Sequence, residues 1–398
     1  MTKLPTKNCV AAVALSLLAP ISASAEGPLQ LTLSGASTYD SNVASLPSST
    51  DPKTILGGTD LADTIKQASA GANLLLPLGR QRFAFGADIS RYFFEQYTSL
   101  NHTDAHAAAD WRWEIGSWVR GSLSHSRDRQ QTSFAYNQGG SPDTRNLSAT
   151  QFQMEIKPLP DWRAIGELGY FEENHAIPAL QVYDRDTTSG SLELRYETPL
   201  GNALGTRLKL GRYHLPNPQQ IAAASIDNSY HDSAVSAFYQ AQFTAASQTW
   251  LEGGFQKITH AKNASQDFSG WTARATYRWT IPITSFALDT WRNVDTLSNE
   301  AASFVVEKGV SFEPHWALTR KIGTELKLAR LWRQRAGGAS LNMGLRQDTA
   351  NSAKFGLRYD PSDVIRLALV LESEQLKSND PNAEFNDKKL SLQLRAQF

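Results

Sequence analysis

Apolar and polar residues alternate with a period of two along most of the chain, the pattern of a strand with one apolar face. Leu390, Leu392, Leu394, Ala396 and Phe398 alternate with Ser391, Gln393, Arg395 and Gln397. Ile365, Leu367, Leu369 and Leu371 alternate with Arg366, Ala368, Val370 and Glu372. Trp271, Ala273, Ala275, Tyr277 and Trp279 alternate with Thr272, Arg274, Thr276 and Arg278. The runs at Leu192–Tyr196 and Phe355–Tyr359 repeat the pattern, and helical spacing is weak nearly everywhere. In a water-soluble sandwich the charged face would meet solvent. In an outer-membrane barrel the charged face lines the lumen and the apolar face meets lipid.

The connections discriminate between the two. Tight turns are predicted at Pro77–Arg80, Glu114–Ser117, Pro158–Asp161, Pro199–Asn202, Thr244–Ser247, Ile281–Pro282, Glu313–Trp316 and Asp360–Asp363, where Pro, Gly, Asn and Asp supply turn geometry. Longer polar connections fall near 42–62, 99–104, 135–144, 175–184, 214–229, 262–267, 294–300, 335–348 and 377–386. Short and long connections alternate, as in a barrel with short turns at the periplasmic rim and long loops outside. Joined in this way, the segments make an all-β, transmembrane, antiparallel up-and-down barrel of 18 strands, with 16 as the alternative count. An even number places both termini on the periplasmic side. The first strand is expected at 28–41 and the last at 386–398. Residues 26–398 supply about 21 per strand with its connection, enough for a tilted span without a spare domain.

Both chain ends fit this reading. Leu390, Leu392, Leu394 and the terminal Phe398 form the ending by which the barrel-assembly machinery recognises many bacterial barrels; Ala396 stands where an aromatic is common. At the other end, Lys3 and Lys7 precede the apolar run Val10–Leu18, and Ala23-Ser24-Ala25 fits a cleavage site. Residues 1–25 therefore read as a signal peptide and 26–398 as one barrel domain in the outer membrane of a Gram-negative bacterium. Trp113, Trp118, Trp162, Trp250, Trp271, Trp279 and Trp316 fall near predicted strand ends, as girdle aromatics do.

Composition alone gives a different first impression. The 398 residues hold 39 Lys+Arg against 39 Asp+Glu, and the mean hydropathy is −0.39. No apolar run is long enough for a spanning helix, and a neutral balance excludes nucleic acid as the main partner. Alternation resolves the discrepancy, because every lipid-facing residue is diluted by a lumen-facing one. The single cysteine, Cys9, falls in the signal, so neither disulfides nor thiolate-bound zinc is expected in the barrel. The charges are expected to separate, basic residues in the lumen and acidic ones toward the loops.

No nucleophile elbow, P-loop, H-E-x-x-H or G-x-G-x-x-G is present, so no catalytic residues, cofactor or metal are assigned and the chain reads as a non-enzyme. His102 and His106 flank Asp104, but residues four apart on a strand stand about 13 Å apart, too far to share one metal. Asp380, Glu384 and Asp387 read as a solvated acidic loop. The lumen is the informative surface. The alternation points Arg112, Arg195, Arg207, Lys209, Arg274, Arg278, Lys327, Arg358, Arg366 and Arg395 inward, with Asp88, Asp110, Glu167, Glu193 and Glu325. Such a wall attracts anionic solutes, or its charges pair with one another and stiffen it.

Tyr39-Asp40-Ser41-Asn42-Val43 at the end of the first strand, Gly79-Arg80-Gln81-Arg82-Phe83 after the second, and the Phe398 ending resemble the EpsL-type outer-membrane barrels of exosortase-associated exopolysaccharide operons. The resemblance spans the mature chain as architecture and supplies no catalytic residues. It implies a channel taking part in exopolysaccharide export, with outer-membrane lipid, the polysaccharide and periplasmic export or co-polymerase proteins as partners. The alternative is a passive diffusion porin for small anionic solutes, and a further one a barrel enzyme acting on lipid or sugar.

Overall fold

The computed structural model describes residues 27–134, 142–221, 224–262, 264, 267–296, 304–336 and 346–398. The signal read in 1–25 lies outside them. Eighteen strands form one sheet: β1 Leu29–Asp40, β2 Asp63–Leu78, β3 Gln81–Phe94, β4 His102–Ile115, β5 Val119–Gln131, β6 Thr144–Leu159, β7 Trp162–His175, β8 Arg185–Glu197, β9 Ala203–His214, β10 Tyr230–Thr244, β11 Ser247–His260, β12 Phe268–Ile281, β13 Thr284–Thr296, β14 Phe304–Ala317, β15 Ile322–Ala336, β16 Gln347–Tyr359, β17 Ile365–Ser378 and β18 Phe385–Gln397. Each pairs antiparallel with its chain neighbours, and β1 also pairs with β18, so the sheet closes and no edge remains. The terminal Phe398 completes this seam: its amide and carbonyl both bond to Leu31, each at 2.9 Å.

Register fixes the two faces of the wall. Leu208 on β9 stands opposite Leu192 and Val235, and Leu371 on β17 opposite Phe355 and Leu390. These residues belong to a continuous outer set with exposed Leu33, Leu168 and Leu328. A one-residue slip would turn this set inward, so the pattern itself specifies the pairing. Aromatic residues mark both margins of the outer band: Trp111, Trp118, Trp162 and Trp316 toward the short turns, Tyr39, Trp271 and Trp332 toward the long loops. Trp250 is different. It is on the inner face, stacked on Phe238 with ring centres 4.6 Å apart.

One expected turn is displaced. Glu313–Trp316 lies within β14, and the chain reverses at 318–321 instead. Pro314 is the reason for the misreading, since proline usually marks a turn. A proline lacks a donor on one side only. Pro314 pairs with Phe286 of β13, whereas the ladder to β15 passes from Phe312–Leu328 to His315–Glu325 without Glu313 and Pro314. The other short turns fall where expected. Gly79 and Gly116 adopt φ of 62° and 60° there, a conformation in which a side chain would be strained.

The connection after β1 folds over the inner rim rather than outward. Val43, Ala44 and Leu46 are buried with Phe94, Tyr97, Leu100 and Phe134, against inner-face Ile65 and Tyr92. Asn42 fastens this segment, exchanging hydrogen bonds with the Leu46 backbone at 2.8 and 2.9 Å. It also donates to the Asn386 carbonyl across the β1–β18 seam.

Candidate functional site

The inner wall is the candidate site. All ten basic residues singled out from the sequence occupy its face: Arg112 on β4, Arg195 on β8, Arg207 and Lys209 on β9, Arg274 and Arg278 on β12, Lys327 on β15, Arg358 on β16, Arg366 on β17 and Arg395 on β18. So do Asp88, Asp110, Glu167, Glu193 and Glu325. The residues differ in their partners.

Midway along the wall the charges neutralise one another. Arg207 reaches Glu193 at 2.5 Å and Glu252 at 3.3 Å, and Arg195 binds the same Glu193. Both guanidiniums also lie over the Phe238 ring, at 5.3 and 5.6 Å. Arg274 forks onto Asp289 at 3.0 and 2.5 Å, with Thr276 donating to the same carboxylate. Lys327 pairs with Glu313 at 2.7 Å. These groups stiffen the wall, and each partly solvated pair contributes about 0–1 kcal/mol.

The end of the lumen next to the short turns is different. Within the first four positions of each strand there, the inner face carries Arg82, Arg112, Arg120, Arg163, Arg195, Arg278, Arg358, Arg366 and Arg395; the strand carboxylates at that height are Glu114, Glu197 and Glu325. Three pairs of arginines stand directly opposite one another: Arg82–Arg112, Arg163–Arg195 and Arg366–Arg395. Like charges so placed destabilise a sheet. Neighbouring carboxylates relieve part of this. Arg112 meets Asp110 at 2.5 Å, Arg163 meets Glu155 at 2.7 Å, and Arg358 and Arg366 share Asp360 at 3.1 and 2.8 Å. Among the described residues Arg82, Arg278 and Arg395 have no carboxylate partner. Arg395 donates one long bond to Thr32 at 3.5 Å, and its buried Nε has none.

Toward the long loops carboxylates predominate on the inner face, with Asp40, Asp63, Asp104, Asp128, Glu173, Asp348 and Asp387. Lys389 is held between Asp40 and Asp387, at 2.7 and 3.0 Å. The charges thus separate along the barrel axis, and not between lumen and loops as the sequence suggests. Strand phase gives the face of a charge and its distance from the turn gives its height, but which charges stand opposite one another follows only from paired register.

His102 and His106 both belong to β4 and point to different partners, His102 to Asp104 at 3.8 Å and His106 to Asp128 at 2.5 Å. Asp380 caps the short turn Pro381–Ala383, Glu384 accepts from the Ser378 amide, and Asp387 faces Lys389, so the three carboxylates serve separate local contacts. Arg82, Arg120 and Arg163 are not among the inward residues that the alternation picks out, because each adjoins a turn, although the phase of its strand assigns it inward.

No family model and no curated protein matches the sequence. The fold does have solved likenesses. Pseudomonas aeruginosa OpdK, solved with vanillate, superposes with a TM-score of 0.52 at 8% identity, covering 93% of this chain and 99% of that one. P. aeruginosa OccK2 (OpdF), in complex with glucuronate, gives 0.52 at 10% identity over 93% and 98%. A BenF-like porin from Pseudomonas fluorescens Pf-5 gives 0.53 at 9% identity over 93% and 99%. At these identities the likeness is one of fold. A closed 18-stranded antiparallel barrel with an apolar outer band, the fold of outer-membrane porins, places the chain in the outer membrane of a Gram-negative bacterium.

Proposed function

We propose that the chain is a passive diffusion channel for small anionic solutes, inserted with its long loops outward and both termini in the periplasm. The observation that supports this most is the arginine ring at the short-turn end. Directly opposed arginines stand there although they weaken the sheet, and Arg82, Arg278 and Arg395 have no carboxylate partner among the described residues. An anion passing the ring relieves that repulsion, which gives it a favourable but exchangeable site. A wall of 18 strands encloses enough space for an aqueous path. The vanillate and glucuronate of the two similar barrels are small carboxylates, the class this ring would attract.

The measurement is the reversal potential of the reconstituted chain in a planar bilayer under a KCl gradient. Preferential chloride passage is expected. Preferential potassium passage, or a membrane that stays sealed, would overturn the reading.

Exopolysaccharide export, with its periplasmic co-polymerase partners, rests on the sequence resemblance alone. It has its own test. A deletion strain that still displays normal surface polysaccharide excludes it, whatever the bilayer shows. We also assign Leu390, Leu392, Leu394 and Phe398 to recognition by the barrel-assembly machinery. They are all exposed on the outer face of the seam strand.

A further inference from the structure

Near the long-loop end of β14–β18 the outer face of the barrel turns polar. Arg330, Asn351, Gln375 and Asn386 are direct cross-strand neighbours in one row, and Ser373 pairs with Lys388 in the next. Together they line a depression of about 520 Å3, with Val310, Phe312, Leu328 and Ala353 on its apolar side. Lys308, directly opposite Trp332, and Lys377, two positions beyond Gln375, extend the positive charge. No outer position on these five strands carries Asp or Glu. Arg330 and Lys388 have no carboxylate partner among the described residues.

The height of the patch follows from Trp332. Its ring is exposed on the outer face, and the Arg330 guanidinium lies 5.2 Å from its centre. Tryptophan at such margins sits at the level of lipid headgroups. The cations therefore stand where headgroups are, above an apolar wall that meets acyl chains.

We propose that this depression, placed in the outer leaflet by the long-loops-outward orientation proposed above, on which the inference rests, binds the phosphorylated amino-sugar headgroup of that leaflet's glycolipid. Arg330 and Lys388 take phosphate oxygens, while Asn351, Gln375, Asn386 and Ser373 bond sugar hydroxyls and amides. Phe312 and Leu328 meet the first methylenes of the acyl chains. A simple phospholipid has one phosphodiester and little else to satisfy four neutral hydrogen-bonding side chains. A second copy of the chain, related by a twofold axis, would set cation against cation.

The test uses the full chain in nanodiscs of phosphatidylcholine, titrated with lipid A, phosphatase-treated lipid A or phosphatidylglycerol, with bound lipid counted by native mass spectrometry. Lipid A should bind, its dephosphorylated form and phosphatidylglycerol should bind more weakly, and R330Q/K388Q should lower lipid A affinity about tenfold or more. The variant should keep wild-type conductance and heat-modifiable gel migration, because neither residue faces the lumen. If the double variant fails to assemble, K388Q alone should show a smaller loss, while K66Q, an outer cation paired with Glu95, should show none. Unchanged binding by either lipid-site variant, or equal binding of dephosphorylated lipid A or phosphatidylglycerol, would overturn the proposal.

Discussion

At the scale of single residues, the inner wall separates charges that brace from charges left available. Arg207 and Arg274 each end in a carboxylate fork, whereas Arg395 faces Arg366 across the β17–β18 ladder and meets no carboxylate among the described residues. Two opposite effects of one substitution follow. Arg395→Gln should reduce chloride selectivity in the reversal-potential measurement. It should also leave the barrel as stable or up to about 1 kcal/mol more stable in urea, because a like-charge pair is removed. A purely structural arginine would do neither. Gly205 gives a second residue-level prediction. A Cβ there would lie 2.4 Å from the Phe238 ring and 2.7 Å from the Leu194 carbonyl. Gly205→Ala should displace Phe238, which is buried beneath two guanidiniums, and cost about 1–3 kcal/mol in equilibrium unfolding from lipid vesicles.

At the scale of elements, alternation made the strands legible because each residue faces either lipid or lumen, and the two environments select opposite side chains. The first and last strands, expected at 28–41 and 386–398, run Leu29–Asp40 and Phe385–Gln397. Pro314 shows the limit. Whether a strand tolerates proline depends on which neighbour loses the donor, and a single strand does not contain that information. The seam strand has its own test. Removing Phe398 deletes both backbone bonds to Leu31 and the terminal aromatic, so the assembled, heat-modifiable fraction should fall several-fold. Phe398→Tyr should restore it. If the deletion assembles normally, the assigned recognition role is wrong.

At the scale of the whole molecule, closure converts a ladder of local pairs into a lumen with two unlike ends, arginine-rich beside the short turns and carboxylate-rich beside the long loops. The segment after β1 lies over the second of these ends, anchored by Leu46, which is 1% exposed. Leu46→Ala should loosen that anchor by about 2–5 kcal/mol. The expected readout is faster protease cleavage within 44–58 in intact barrels, with unchanged cleavage elsewhere. Chloride selectivity should persist in this variant, since the arginine ring is at the opposite end.

The sequence by itself determined the architecture. A period of two, alternating short and long connections and an apolar ending are local properties, and membrane insertion acts on them locally. Phase along one strand also assigns each charge to one of two faces, since neighbouring side chains point to opposite sides. Tertiary structure decided the rest. Which arginines meet carboxylates, which meet one another, and where a polar row interrupts the lipid-facing band all depend on the register between strands. That register brings together residues far apart in the chain, such as Arg395 beside Thr32 and Arg330 in one row with Asn386. Electrostatics and binding act through those distances, so no reading along the chain contains them.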